Sequence, residues 1–330
     1  MSDKPKVKAV VCRELGPPEK LVVEDFPVSN MSPNSVRIAV EAAGVNFPDT
    51  LIIQGLYQFK PPVPFVPGSE VAGKVVEVGE RVKHVKPGDA VAAFVPHGGY
   101  AAQVVAAGEA VVPLPPGMDM RHAAGFPMIY GTSYYALNQR GLLKPGETLL
   151  VLGAAGGVGL AAVQLGKLIG ARVIAAASSA DKLAVCRQAG ADETIDYTRE
   201  SLKERVKQLT GGHGADVIYD PVGGQLAQDC LSCINWNGRY LIIGFAAGGI
   251  PEIAANRLLL KGASAVGVFW GAFVAREPHV NAANFEQLFK WYSTGELVPH
   301  VSKTYPLAEA PSALRELMER KAVGKLVLLP

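Results

Sequence analysis

Glu147-Thr-Leu-Leu-Val-Leu-Gly-Ala-Ala-Gly-Gly-Val-Gly159 is the stretch from which the fold is read. Thr148 to Leu152 is a short apolar run of the kind needed by a parallel strand that is covered on both faces. The glycines that follow let the chain reverse tightly and let a pyrophosphate approach the backbone. A helix beginning there would aim its N-terminal amides at that phosphate. Ala171-Arg-Val-Ile-Ala-Ala-Ala177 then supplies a second strand. Aligned on Gly156 and Gly159, the first glycine of a G-x-G-x-x-G fingerprint falls on Ala154, the smallest substitute. The spacing predicts the first half of a nucleotide-binding βαβ unit. The competing reading is a glycine-rich turn in some other parallel-sheet protein.

An NAD site places Asp or Glu at the end of the second strand, about twenty residues past the glycines, to bind the ribose 2′-hydroxyl. Here that strand ends Ala175-Ala176-Ala177 and continues Ser178-Ser179-Ala180-Asp181-Lys182. No carboxylate stands at Ala177 to repel a 2′-phosphate. Lys182 can supply a point charge, with Ser178 and Ser179 as donors. NADPH is therefore expected over NADH. The alternative is that Ser179 caps the next helix, Lys182 is a solvated surface residue and Asp181 serves NAD.

With 330 residues, 49% of them hydrophobic, the chain suits two compact domains better than one. A formal net charge of +2, with no run of like charge, gives no reason to expect nucleic acid or an anionic membrane as partner. Cys12, Cys186, Cys230 and Cys233 are not spaced as a four-thiolate zinc lobe or a disulfide framework. The Cys230-x-x-Cys233 pair reads as small apolar residues on a helix running into a turn from Leu226 to Trp236. Met1-Ser-Asp-Lys-Pro-Lys-Val carries no apolar leader core, and no run is apolar enough to span a bilayer. A soluble cytoplasmic protein is expected.

Lys8–Cys12, Lys20–Glu24, Asn34–Ala42, Glu70–Val78, Ala90–Ala93 and Tyr100–Ala106 read as strands with Gly/Pro punctuation, forming a small, partly open barrel. Between them, Gly44 to Gly68 reads as irregular and holds Asn46, Asp49 and Tyr57, the kind of segment on which substrates are met. From Glu147 six strands, at Leu149–Leu152, Arg172–Ala176, Glu193–Asp196, Val217–Asp220, Gly238–Gly244 and Gly262–Phe269, alternate with helical runs. That pattern requires an α/β, doubly wound parallel sheet. The division expected is 1–123 for the first part of a catalytic domain, 124–270 for the nucleotide domain and 271–330 for a return to the catalytic domain. The last segment, Gly324 to Leu329, reads as a strand rejoining the first domain.

Five motifs in order, Pro67-Gly-Ser-Glu-Val-Ala-Gly73, Gly79 to Asp89, Ala154 to Gly159, Asp220-Pro-Val-Gly-Gly224 and Gly324-Lys-Leu-Val327, resemble medium-chain dehydrogenase/reductases. More narrowly, the chain resembles the zinc-free NADPH quinone oxidoreductases and their enoyl-thioester reductase relatives. The resemblance covers essentially the whole chain and implies a GroES-like domain plus a Rossmann domain. It also implies a homodimer joined through the Rossmann edge strand, here Ala263 to Val268. The zinc alcohol dehydrogenases of this superfamily bind catalytic zinc with two cysteines and a histidine. The matching places here are Asn46, Ser69 and the neighbourhood of Pro127, and the structural-zinc lobe expected after Pro96 is missing. No metal is therefore expected, nor a flavin.

Without a Lewis acid an acceptor must already be electron-poor, which points to quinones or α,β-unsaturated carbonyls, whose developing oxyanion hydrogen bonds can stabilise. The resemblance assigns Asn46 and Tyr57 to that task, with Asp49 as an orienting residue. It assigns Gly156, Gly157 and Val158 to the pyrophosphate, Ser178 and Lys182 to the 2′-phosphate, and Tyr197 to that phosphate or the adenine; Ala154 in the fingerprint and the Ser179 hydroxyl join the cofactor site on the reading of the residues themselves. Thr132, Val222, Phe245 and Phe269 fall along the nicotinamide and ribose path. Lys325 falls by the cofactor, or else is a strand-end lysine facing water. Trp270 either encloses the substrate or packs in the dimer. The alternatives within reach are an enoyl-CoA reductase and a non-catalytic NADPH-binding protein of the crystallin kind.

Overall fold

The structure, a computed structural model, describes residues 5–330. Met1 to Lys4, where the reading of the N-terminus begins, lie outside the described residues. The protein is α/β, with a GroES-like, barrel-like mixed sheet and a Rossmann-type parallel sheet. Packing divides it into one unit that ends at Met128 and resumes at Val298–Pro330, and a second unit, Ile129–Leu297. The return to the first unit thus begins later than residue 271. The helices Trp270–Arg276 and Pro278–Ser293 stay with the second unit because Phe273 stacks on Tyr135 at 4.1 Å and Asn284 accepts from Gln139 at 2.7 Å.

In the first unit the strand Ser35–Val45 is the spine. Val36, Ile38 and Val40 point into the core, as their alternation with Arg37 and Glu41 predicts. One edge pairs antiparallel with Glu70–Val78. The other pairs with Gln103–Ala107 over its first half and with Lys325–Leu329 over its second. The C-terminal strand therefore delivers Lys325 beside Val45 and Asn46. The segment from Gly44 to Gly68 is not wholly irregular, since Phe47–Ile52 is helical. Asn46-Phe-Pro-Asp49 is a helix start: Pro48 needs no N–H there, and the Asp49 carboxylate accepts from the Asn46 N–H at 2.9 Å.

In the second unit the six strands lie in the order Glu193–Asp196, Arg172–Ala177, Thr148–Val151, Ala215–Asp220, Ile234–Ile242 and Ser264–Gly267. All adjacent pairs are parallel. Numbered within this unit the order is 3-2-1-4-5-6, which places the carboxyl ends of the first and fourth strands side by side at the switch point where nucleotides bind. The fifth strand begins at Ile234 and not Gly238, so Trp236 lies in a strand. Asn237, at φ 58°, absorbs the resulting irregularity, where the register jumps from Ala215–Ile234 to Val217–Arg239. The expected helix over Gly131–Arg140 is an α-helix, Pro127–Tyr134, that widens into π geometry over Tyr135–Arg140.

Candidate active site

The nucleotide-binding end is built by backbone sterics. The helix Gly157–Ile169 starts at Gly156 with no side chain capping it, so its first amides are unclaimed by a cap. A Cβ on Gly159 would sit 2.4 Å from the Gly153 carbonyl oxygen and 2.7 Å from the Ala154 Cα. Only glycine permits that approach of helix to loop. The alanine in the fingerprint also finds its reason. Ala154 is wholly buried, with its N–H bonded to the Ala176 carbonyl at 3.0 Å, while the left-handed conformation falls on Gly153, at φ 54°. The duty of the first glycine has moved one residue upstream, a shift visible in sequence only as the extra glycine before Ala154.

Lys182 and Ser178 meet at the end of the second strand, Nζ to Oγ at 3.3 Å. Ser179 instead caps the helix Ala180–Gln188, its hydroxyl accepting from the Lys182 N–H at 3.4 Å. Tyr197 packs half-buried on the same core. Val222 lies over the glycine loop, since a Cβ on Gly153 would come within 2.9 Å of its methyl, and Phe245 lies beside Gly223. The device that fixes Val222 is Asp220, to which the sequence reading gave no role. Its buried carboxylate accepts from the Val222 and Gly223 N–H groups at 2.7 and 2.8 Å and from the Tyr240 hydroxyl, while burial raises its pKa. Ser133 was also missed. It donates to the Val158 carbonyl at 3.0 Å and contacts the Tyr219 hydroxyl at 2.9 Å, tying the helix of Thr132 to the first turn after the glycines. Phe269 follows the sixth strand and is largely exposed. Trp270 is buried against Gly131 and bonds Asn281 at 3.2 Å, which makes it internal packing of this unit.

This loop and its neighbours fit a dinucleotide: a cradle that any Cβ at Gly159 would disrupt, free helix amides for a pyrophosphate, and a lysine with a hydroxyl at the ribose end.

In the first unit Asn46, Asp49, Ser69, Glu70, Tyr100 and Lys325 form one buried polar cluster. The Asp49 carboxylate accepts from the Asn46 N–H, from Ser69 Oγ at 3.0 Å and from the Tyr100 hydroxyl at 2.7 Å. Burial outweighs those donors and pushes its pKa up to about 6. Glu70 pairs with Lys325 and accepts from Asn46 Nδ2 at 2.9 Å and from the Met128 N–H at 2.8 Å. Asn46 and Ser69 are thus both engaged with carboxylates. Among the described residues, no group of three or more His, Cys, Asp or Glu is placed to hold a metal ion.

Tyr57 is half-buried against the core of this unit. Burial first, and the Asp49 charge second, raise its pKa above the usual phenol value. The site therefore makes Tyr57 a neutral hydrogen-bond donor and a weaker acid than free tyrosine. Arg121 lines a cavity of about 260 Å³ with His122, Ser302 and Lys303. Both cations there are already paired, Arg121 with Asp119 at 2.5 Å and Lys303 with Glu316 at 3.5 Å.

The fold and these two constellations define a two-domain dehydrogenase or reductase of the medium-chain type. Residues 32–116 match the sequence model of the alcohol dehydrogenase GroES-like domain, and residues 157–293 match that of the zinc-binding dehydrogenases. A quinone oxidoreductase-like protein 2 homolog of Nematostella vectensis is 43% identical over 97% of this chain and 88% of its own. A 2-haloacrylate reductase of a Burkholderia species is 32% identical over 98% and 99%. The crystal structure of Escherichia coli quinone oxidoreductase complexed with NADPH superimposes with a TM-score of 0.91 at 30% identity, covering 98% of this chain and 99% of that one. The chain belongs to the quinone oxidoreductase family of medium-chain dehydrogenase/reductases. Among the described residues, no helix is long and apolar enough to cross a membrane.

Proposed function

We propose that this protein is an NADPH-dependent, zinc- and flavin-independent reductase of quinones or other activated alkenes. The observation that carries the cofactor choice is Lys182 Nζ beside Ser178 Oγ at a strand end with no carboxylate. When bound, NADPH supplies the hydride. The loop Gly153–Gly159 and the amides after Gly156 would hold the pyrophosphate, Ser178 and Lys182 would hold the 2′-phosphate, and Asp220 fixes Val222 at the edge of that loop. Asn46 and Tyr57 donate hydrogen bonds to the acceptor oxygen on which charge develops, and Asp49 orients the Asn46 backbone. With its raised pKa, Tyr57 stays protonated at neutral pH and is available as that donor. The quinone reading and the haloacrylate reading share one chemistry, hydride addition to a carbon conjugated with an electron-withdrawing oxygen.

NADPH consumption with 9,10-phenanthrenequinone, 1,4-benzoquinone, a simple enone and crotonyl-CoA tests the proposal. Turnover of the quinones or the enone supports it. A clear preference for crotonyl-CoA transfers the protein to the acyl-thioester branch, and tight NADPH binding with no turnover at all favours a non-catalytic role.

We also propose a homodimer through the Ser264–Gly267 edge and a cytoplasmic location, where the reduced cofactor is supplied. Supporting the dimer, Trp236, Leu259, Leu260 and Phe269, on segments next to this edge strand in sequence or in the sheet, are 65%, 79%, 74% and 59% exposed, apolar surface that a second copy would cover. Light scattering of the wild type and a Val266→Lys variant tests the dimer. A monomeric wild type rejects it.

A further inference from the structure

We infer that Lys325 and Glu70 form a buried latch that sets the orientation of the Asn46 side chain, so that Lys325 is a positioning residue and not a ligand of the cofactor. The inference rests on the reading of Asn46 as the donor to the acceptor oxygen. The Lys325 ammonium has three acceptors: a Glu70 oxygen, Asn46 Oδ1 at 2.5 Å and the Val45 carbonyl at 3.1 Å. An ammonium has three donors, so none remains for a phosphate. Lys325 is 2% exposed and Glu70 0%. The place is also built for them. A Cβ on Gly44 would lie 2.3 Å from a Glu70 carboxylate oxygen, and a Cβ on Gly125 would lie 2.7 Å from the lysine stem. Both glycines leave room that the ion pair fills.

The consequence for Asn46 follows from donor and acceptor chemistry. Lysine only donates and an ionised carboxylate only accepts, so Asn46 must turn Oδ1 to Lys325 and Nδ2 to Glu70, where it bonds at 2.9 Å. The second Nδ2 hydrogen meets only the Gly44 carbonyl at 3.5 Å, too long to be committed. That hydrogen is the one left for an acceptor. Were Lys325 absent, the stranded Glu70 carboxyl would take up a proton and could donate to Oδ1, so that the amide could flip and present an oxygen to a developing oxyanion.

Lys325→Met and the double variant Glu70→Met/Lys325→Met test the latch through thermal midpoint, NADPH Kd by fluorescence, and kcat with 1,4-benzoquinone. Lys325→Met alone strands a buried carboxylate and lowers the midpoint, whereas replacing both charges restores much of it. The latch predicts that kcat falls about 100-fold in both variants, and that Kd for NADPH stays within about threefold of wild type. Recovery of kcat together with the midpoint in the double variant would show a merely structural role and overturn the inference. A rise in the NADPH Kd of about tenfold or more in Lys325→Met would overturn it as well, by making Lys325 a cofactor ligand. If the wild type binds NADPH but reduces no acceptor, the proposed function fails while the latch is still decided by [15N]asparagine labelling. The Asn46 side-chain amide must then give a slowly exchanging pair of signals that is lost in Lys325→Met. An amide pair unchanged in that variant rejects the latch.

Discussion

Replacing Asp49 by asparagine should change how stability depends on pH, in a direction fixed by its burial. Its carboxyl is wholly buried and its pKa is raised from 3.8 to about 6. The folded state therefore binds a proton more tightly than the unfolded chain, and the ionised form is what folding disfavours. Below the unfolded pKa the group is neutral in both states and costs nothing differential. As pH rises through the window from 3.8 to about 6 the folded state loses stability relative to the unfolded, and above it the penalty is constant. Two pKa units correspond to about 3 kcal/mol. Asparagine removes the titration with little steric change. Its oxygen can take the Asn46 N–H and Tyr100 hydroxyl bonds, and Ser69 can rotate its hydroxyl to accept from the new amide. Urea unfolding of both proteins across this range, monitored on a probe in the first unit, gives the difference curve. Wild type minus variant should fall by about 3 kcal/mol as pH rises from about 4 to about 7. A flat curve would mean that the three donors balance burial, and a rising one that they outweigh it; either result makes the reasoning about Asp49 wrong.

Lys182→Ala should reduce kcat/KM for NADPH by about 10-fold to 100-fold while leaving the NADH value nearly unchanged, because only the phosphorylated cofactor loses a charge-assisted contact. An unchanged NADPH preference would remove that role from Lys182. Gly159→Ala forces a methyl to within 2.4 Å of the Gly153 oxygen, backbone that cannot move aside cheaply. The expected result is a stability loss of about 1–3 kcal/mol with weakened NADPH binding, read by denaturation and fluorescence titration. All four cysteines are free and buried, and burial pushes the Cys186 and Cys233 thiols up to about 12. Ellman's reagent should therefore label none of them in native protein and all of them after denaturation. Rapid labelling of Cys230 or Cys233 would reopen a redox role for that pair.

What sequence alone determined follows from local rules. The apolar run Thr148–Leu152, the glycines after it and the alternation of strand and helix fix a parallel nucleotide-binding sheet, because strand burial and φ > 0 leave few other uses for such residues. The absence of a carboxylate at Ala177 likewise needs no coordinates. The Asn46-Phe-Pro-Asp49 helix start was missed, because its short length and aspartate in place of glutamate hid it among prolines. What only the tertiary structure decided are relations between residues far apart in the chain. Lys325 reaches Asn46 across 279 positions because antiparallel pairing of the last strand with Ser35–Val45 puts them side by side. The burial that raises the Asp49 pKa depends on which surfaces close over it. Gly153, and not Ala154, makes the turn because the neighbouring strand takes the Ala154 amide into the sheet. Propensity and spacing act over a few residues, whereas desolvation and hydrogen-bond saturation depend on neighbours that only folding brings together.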